Sequence, residues 1–405
     1  MTTFKLVNIV AQYISYVYVI GISFALSIFI ARALGPAEFG IYVTALSAGS
    51  ILGILFDLGF KHIIQREMAQ PSKKLAPLQP QLLATAIGVS LLISTITSII
   101  LCMIFPGWKI LILSVSACFL SIAFTQFISA YMKGSRQFIR ESIHLAGART
   151  ASAFAILALL ILGNATSLTI LIAWGGGLLT WNFLFNRFAF AKLNISSAPS
   201  FFPMLLSLFI IDLSITVYFR ADILLLQFFG SDQVSIGHFS AALRLVEGLI
   251  LMGLPLRSML QTKIRSEQLI SDLDVKVFTQ RLIVVGIVGA SLGFIINLIA
   301  DPLVLLIYGE DFSQASSYLK ILAWILIPAY MLAVISEMMI AREAEVLYKY
   351  LALAMALLMV ITTFFVQMNY GILRVAQLKV LMEAIFAVAG FGLICMFLLR
   401  KKAFH

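Results

Sequence analysis

Apolar residues run through the chain in stretches of about twenty, and short connectors between them gather the Gly-Pro turns and many of the charges. A helix of about 20 apolar residues crosses the roughly 30 Å hydrocarbon core of a bilayer. The pattern predicts six such helices at 10–31, 40–60, 82–105, 109–131, 143–162 and 168–188. Six more are predicted at 204–229, 238–260, 281–300, 318–340, 348–367 and 378–399. The runs are continuous rather than alternating, which excludes a transmembrane β-barrel. Twelve spans in 405 residues leave about 34 residues for each span and its connector, too few for a soluble catalytic domain. The first run is too long for the core of a signal peptide, and Lys5 alone makes a weak positive flank, so "IFIARALG" reads as the end of a first span.

Composition agrees. Mean hydropathy is +1.05, with 61% hydrophobic and 11% charged residues, against about 25% charged in ordinary soluble domains. A net charge of +10 would suggest nucleic acid in a soluble protein, but here the cations collect in alternate connectors. Lys61, Arg66, Lys73 and Lys74 share one connector and Lys133, Arg136 and Arg140 another. The series continues with Arg187 and Lys192, Lys263 and Arg265, Arg342 and Lys349, and the tail Arg400 to Lys402. The positive-inside rule then places both termini in the cytoplasm, and nucleic acid is not an expected partner. Cys102, Cys118 and Cys395 lie in apolar segments without paired spacing, so neither a disulfide framework nor a metal site is expected. The four histidines are scattered and read as surface residues. No G-x-x-x-x-G-K-[ST] run is present to bind ATP, and no cofactor is indicated.

One stretch repeats. "LGPAEFGIYVTAL" from Leu34 resembles "FGSDQVSIGHFSAAL" from Phe229, with Gly35 falling on Gly230, Gly40 on Gly237, Tyr42 on Phe239 and Ala45 on Ala242. Each copy sits between the first two spans of a six-span half. Gly35 and Pro36 reverse the chain, Gly40 begins the return span, and Asp57 and Gly59 of "FDLGF" end it before the basic connector. The expected fold class is an all-α integral membrane protein of about twelve transmembrane helices, in two parallel six-helix halves, 1–192 and 193–405, around a central cavity. That architecture suits a transporter.

These blocks, "LGPAEFGIY", "FDLGF", "QREMAQ" and "FRADILLLQFFGSDQVSIGHFSAALRLVEG", resemble the bacterial oligosaccharide flippases of the multidrug/oligosaccharidyl-lipid/polysaccharide exporter superfamily. The resemblance implies export of undecaprenyl-pyrophosphate-linked repeat units, by alternating access across the inner membrane, for O-antigen or capsule synthesis. It also implies membrane lipid and, in the same membrane, a glycan polymerase and a chain-length regulator as partners, with no catalysis.

Such a substrate carries an anionic diphosphate and many hydroxyls, so a polar cavity is expected. Gln12, with Ser15, Ser23 and Ser27, marks one face of the first helix; Ser47 and Ser50 mark one on the second. Ser121, Thr125 and Ser129 form a third, and Asp212, Thr216 and Arg220 a fourth at i, i+4, i+8. Charges in spans need a reason. Arg220 is the expected diphosphate ligand, because its planar fork binds phosphate bidentately and stays charged. Arg149 either meets the loading diphosphate or snorkels to headgroups. Asp212, and after it Glu337, are the carboxylates expected to couple transport to an ion. Asp222, Arg244 and Glu247 read as structural ion pairs, for instance Asp222 with Arg244. A cation-coupled multidrug exporter of the same superfamily is the alternative; its cavity should be acidic. A glycan polymerase or glycosyltransferase would need catalytic acids in a large outer loop, whereas the longest expected outer connector, Asp301 to Ser317, is short.

Overall fold

The structure is a computed structural model that describes residues 2–70, 79–186, 198–252, 275–341 and 344–403. Cations expected to set topology at Lys73, Lys74, Arg187, Lys192, Lys263, Arg265 and Arg342 lie outside these residues, as do the expected boundary at 192/193 and the end of the eighth predicted span.

Everything regular among the described residues is helical. Ten stretches are long and apolar enough to cross a membrane. The first, Val10–Asp57, would be about 72 Å long if straight, more than twice the hydrocarbon core. It is broken at Gly35, and so counts as α1 (2–34) and α2 (36–57). The remaining spans are α4 (Gln79–Ile104), α5 (Lys109–Gly134), α6 (Phe138–Ile161), α7 (Ser167–Asn186), α8 (Ala198–Phe228), α9 (Gln233–Met252), α10 (Val275–Tyr308), α13 (Glu345–Tyr370) and α14 (Ile372–Ala403). One more is made jointly by α11 (Ala315–Leu322), a 3₁₀ turn and α12 (Leu326–Ala341). Of these, α8 is included for its length, 31 residues, and brings the spans among the described residues to twelve. Large apolar side chains stand on the outside, Ile161 at 85% and Leu306 at 75% exposure, as a lipid-facing surface requires.

The chain divides into two compact units, one of Met1–Leu34 with Ile41–Thr216, the other of Gly35–Gly40 with Val217–His405. In the second, Phe278, Leu282, Ile335, Met338 and Met339 form part of the core between α10 and α12.

The connector after α2 contains a helix that hydropathy does not show, α3 (Phe60–Ala69). Phe60, Ile63, Ile64 and Glu67 are buried along its i, i+3, i+4, i+7 face, and Phe60 meets Phe127 of α5 edge to face, 6.3 Å between ring centroids. Each of the three apolar residues contributes up to roughly 1.5–3 kcal/mol by this burial. "FDLGF" builds the corner. Asp57 accepts the backbone N–H of Lys61 at 3.0 Å and pairs with its ammonium at 3.0 Å. Leu58 and Gly59 take positive φ of 48° and 84°. A Cβ on Gly59 would stand 3.0 Å from that of Leu208, so α8 packs directly on the turn. One helical turn beyond Leu208, Asp212 takes the same ammonium at 2.7 Å and His62 at 3.0 Å. Burial works against the Lys61 charge, but Asp57 and Asp212 outweigh it and hold its pKa above the ordinary lysine value. Asp57 is 1% exposed, a buried anchor of this corner.

The repeated motif has a matching geometry in the second unit. Gly35 and Gly230 have φ of 69° and 68°, each in the left-handed region where a side chain strains the backbone. Pro36 follows as the first residue of α2, with its φ preset for a helix. A methyl group on Gly40 would collide with the carbonyl oxygen of Gln233, and one on Gly237 with that of Pro36. Pro36 and Gln233 each stand four residues before their own motif glycine, so the contact is reciprocal. Phe312 closes over it, 1% exposed, edge-on to Phe39 at 5.9 Å and to His238 at 5.7 Å. The connector expected at Asp301 to Ser317 is thereby corrected: α10 continues through Pro302 to Tyr308, because its apolar run extends that far, and a 3₁₀ turn at Glu310–Phe312 presents Phe312 inward.

Two outcomes follow from these contacts. Gly40→Ala and Gly237→Ala each destabilise by about 1–3 kcal/mol, since backbone carbonyls cannot swing aside. Gly21→Ala, where a Cβ meets nothing within 4 Å, leaves the thermal unfolding midpoint in detergent unchanged or higher. Lys61→Met leaves Asp57 and Asp212 facing each other without their ammonium. It lowers stability by about 1–3 kcal/mol, allowing for a partly screened lysine, and Asp57→Asn added to it recovers part of the loss.

Candidate functional site

Inside the second unit, α8, α9 and α14 bring six charged side chains together. Arg220 and Asp222, two residues apart, leave α8 on opposite sides. Arg220 donates Nη1–H to Glu247 Oε1 at 3.2 Å, and Arg244 donates to Glu247 Oε2 at 3.0 Å. Both arginine side chains and Glu247 keep about a fifth of their surface exposed, 20%, 23% and 22%. Asp222 is fully buried and pairs with Lys379 of α14, 2.5 Å from its ammonium, while its Oδ1 accepts the N–H of Ile223 at 2.8 Å. Glu383, one turn after Lys379, is also buried and interacts with Tyr218 and Lys379. Tyr308 of α10 packs beside the pair, donating its Oη–H to the carbonyl of Ala241 at 3.2 Å.

The expected partner of Asp222 is corrected by this geometry. Arg244 shares Glu247 with Arg220, and Lys379 takes Asp222. Sequence reasoning omitted Lys379 and Glu383, although their i, i+4 spacing inside the last apolar run, "LKVLME", is a readable signal.

The first unit holds a further buried carboxylate besides Asp57 and Glu67. Glu141 on α6 is fully buried; Ser129 of α5 donates to its Oε1 at 2.9 Å, Lys133 stands 3.4 Å from the same oxygen, and Gln12 of α1 donates to Oε2 at 3.4 Å. Lys133 also lies over the ring of Tyr16, 5.3 Å from its centroid. Glu141 was missed because it stands just outside a predicted span. Arg149, further along α6, places its guanidinium over the ring of Trp174 of α7, 4.9 Å from the centroid. His144 is buried against Phe185 and meets the carbonyl of Thr125 at 3.3 Å, and His238 is buried beside Phe312. Neither is the surface residue expected, because aromatic neighbours cover both.

The remaining expected site residues are dispersed. Ser47 is buried and donates back to Val43 at 2.9 Å; Ser23, Ser50, Ser121 and Thr125 do likewise in their own helices. Thr216 is half-buried on α8, and Glu337 is buried on α12. Asp212 belongs to the Lys61 and His62 cluster at the α3 corner.

Chemically, the arrangement suits an anion. Two guanidiniums share one carboxylate, so N–H donors remain over after Glu247 is satisfied, and both retain partial access. Among the described residues no three His, Cys, Asp or Glu side chains converge as a metal site.

A family profile described as "Polysaccharide biosynthesis protein" matches residues 6–256. No curated protein gives a significant sequence match. Among solved structures, an inward-facing multidrug resistance MATE family transporter of the MOP superfamily is similar at 14% identity. That match covers 94% of this chain and 95% of the other, with a TM-score of 0.71. The lipid II flippase MurJ, in an inward closed conformation, is similar at 15% identity over 96% of this chain and 87% of its own, also at 0.71. The MATE multidrug transporter DinF-BH is 13% identical over 95% of each chain, at 0.64. At such identities the likeness is one of fold. The chain belongs to the polysaccharide biosynthesis protein family, and its fold is the multi-pass helical one seen in transporters of the MOP superfamily.

Proposed function

We propose that the protein translocates anionic lipid-linked oligosaccharide, of the undecaprenyl-pyrophosphate type, across the bacterial inner membrane by alternating access, with both termini in the cytoplasm. The observation that carries this reading is Glu247 shared by Arg220 and Arg244 within membrane-spanning helices. A diphosphate arriving at this pair meets donors already oriented by the carboxylate, in surroundings where charge-assisted hydrogen bonds are strong. Arg149, in the first unit, is a separate contact for a diphosphate during loading, with its guanidinium over Trp174. Family membership and the structural likeness to a lipid II flippase support the same substrate class.

A second reading, cation-coupled multidrug export, draws on the likeness to multidrug transporters. A cationic drug needs a carboxylate to meet it. Here Asp212, Asp222, Glu141 and Glu247 are each already held by a lysine or arginine, which weighs toward the anionic substrate.

In a strain lacking its own exporter, Arg220→Ala lowers surface polysaccharide at low expression by about ten- to a hundredfold relative to the unaltered protein, the loss expected for charged hydrogen bonds worth about 1.5–3 kcal/mol. Arg149→Ala has a smaller effect in the same direction, and both proteins insert in the membrane normally. Surface polysaccharide at full level with both variants sinks the anion-site assignment. Export of a cationic dye that is indifferent to Arg220 supports the multidrug reading instead.

A further inference from the structure

A cavity of about 700 Å³ opens between α4 and α5 within the first unit, and none of the charged clusters lines it. Lys109, the first residue of α5, stands at the helix-terminal end of its lining. No side chain caps that helix end, its first turn has no acidic residue, and no carboxylate lines the cavity. The lysine and the N-terminal end of the α5 dipole, which follows directly on a 3₁₀ turn at Pro106–Trp108, therefore make this end of the cavity positive. Ile99, Met103 and Leu113 form apolar walls, each more than half exposed on the lipid-facing surface.

The depth of the cavity is polar in a specific way. Ser116 lies two helical turns, about 10 Å, below Lys109, with Ser98 of α4 in the same lining. Ser116 is 3% exposed and its Oγ has no hydrogen-bond partner. Its neighbours on α5 behave differently: Ser114 donates to the carbonyl of Ile110 at 2.8 Å and Ser121 to that of Ala117 at 2.7 Å. A buried hydroxyl left unpaired is costly, so an acceptor supplied from outside the protein relieves it.

A ligand for this site has an anionic head, an acceptor about two helical turns, on the order of 10 Å, deeper, and an apolar tail. We infer that the cavity seats an anionic phospholipid, with its phosphate at Lys109 and the positive end of α5, an acyl ester carbonyl accepting from Ser116, and its chain along Ile99 and Leu113. A free phosphate satisfies only the entrance. A polyprenyl monophosphate has no ester carbonyl below its head and leaves Ser116 unpaired.

Native mass spectrometry of the full chain, released from vesicles of equal phosphatidylglycerol and phosphatidylcholine, tests this. The unaltered protein retains phosphatidylglycerol at least fivefold over phosphatidylcholine. Lys109→Gln brings that ratio near one, and Ser116→Leu, which fills the cavity, removes the retained lipid. Leu113→Trp fills it from the lipid side and does the same if Ser116→Leu fails to fold. Equal retention of both lipids by the unaltered protein, an unchanged ratio in Lys109→Gln, or undiminished lipid in the cavity-filling variants overturns the proposal. Displacement of phosphatidylglycerol by equimolar undecaprenyl phosphate, or by inorganic phosphate, also overturns it.

Discussion

A charge in a membrane helix must bring its partner with it. Even on the lenient insertion scale one ionised side chain at the span centre costs about 2.5–3.5 kcal/mol, so the charges of this chain would be prohibitive if they faced lipid singly. The structure meets the constraint by sharing. Lys61 serves Asp57 and Asp212, Glu247 serves Arg220 and Arg244, and Lys379 serves Asp222. Where a cation is shared the cluster leans anionic, and where a carboxylate is shared it leans cationic. The Glu247 cluster is of the second kind and keeps partial access, which is why it is the site proposed for an anionic substrate.

α8 is central to this sharing. Its early stretch brings Asp212 to the α3 corner in the first unit, and its later stretch brings Arg220 and Asp222 to α9 and α14 in the second. The helix has almost no net amphipathic bias, yet each of its charges points to a different dedicated partner. Hydroxyls play a humbler part. Ser47, Ser121 and Thr125 return their protons to carbonyls of their own helices, and Thr125 also accepts from Asn182 at 3.0 Å.

Apolar run length is a local property, and it made the spans legible, including the two on either side of Gly35. The glycine repeat was legible too: Gly35 and Gly230 share their backbone conformation, and Gly40 and Gly237 share a close contact that needs a missing Cβ. Pairing of charges was not legible, because it joins positions far apart. Asp222 and Lys379 are 157 residues apart, and nothing near Asp222 announces which of several cations it takes. Glu141 was hidden by its place beside a span boundary. α3 was hidden because a ten-residue amphipathic helix in a basic connector shows a period rather than a hydropathy peak.

Direct binding to the purified protein in nanodiscs tests the anion site most closely. With Arg220 as a diphosphate ligand, undecaprenyl diphosphate binds, added salt weakens it, and Arg220→Ala reduces affinity at least tenfold while Lys61→Met does not. Equal affinity for undecaprenyl diphosphate in the unaltered protein and in Arg220→Ala, with a cationic dye bound more tightly than either, would contradict it.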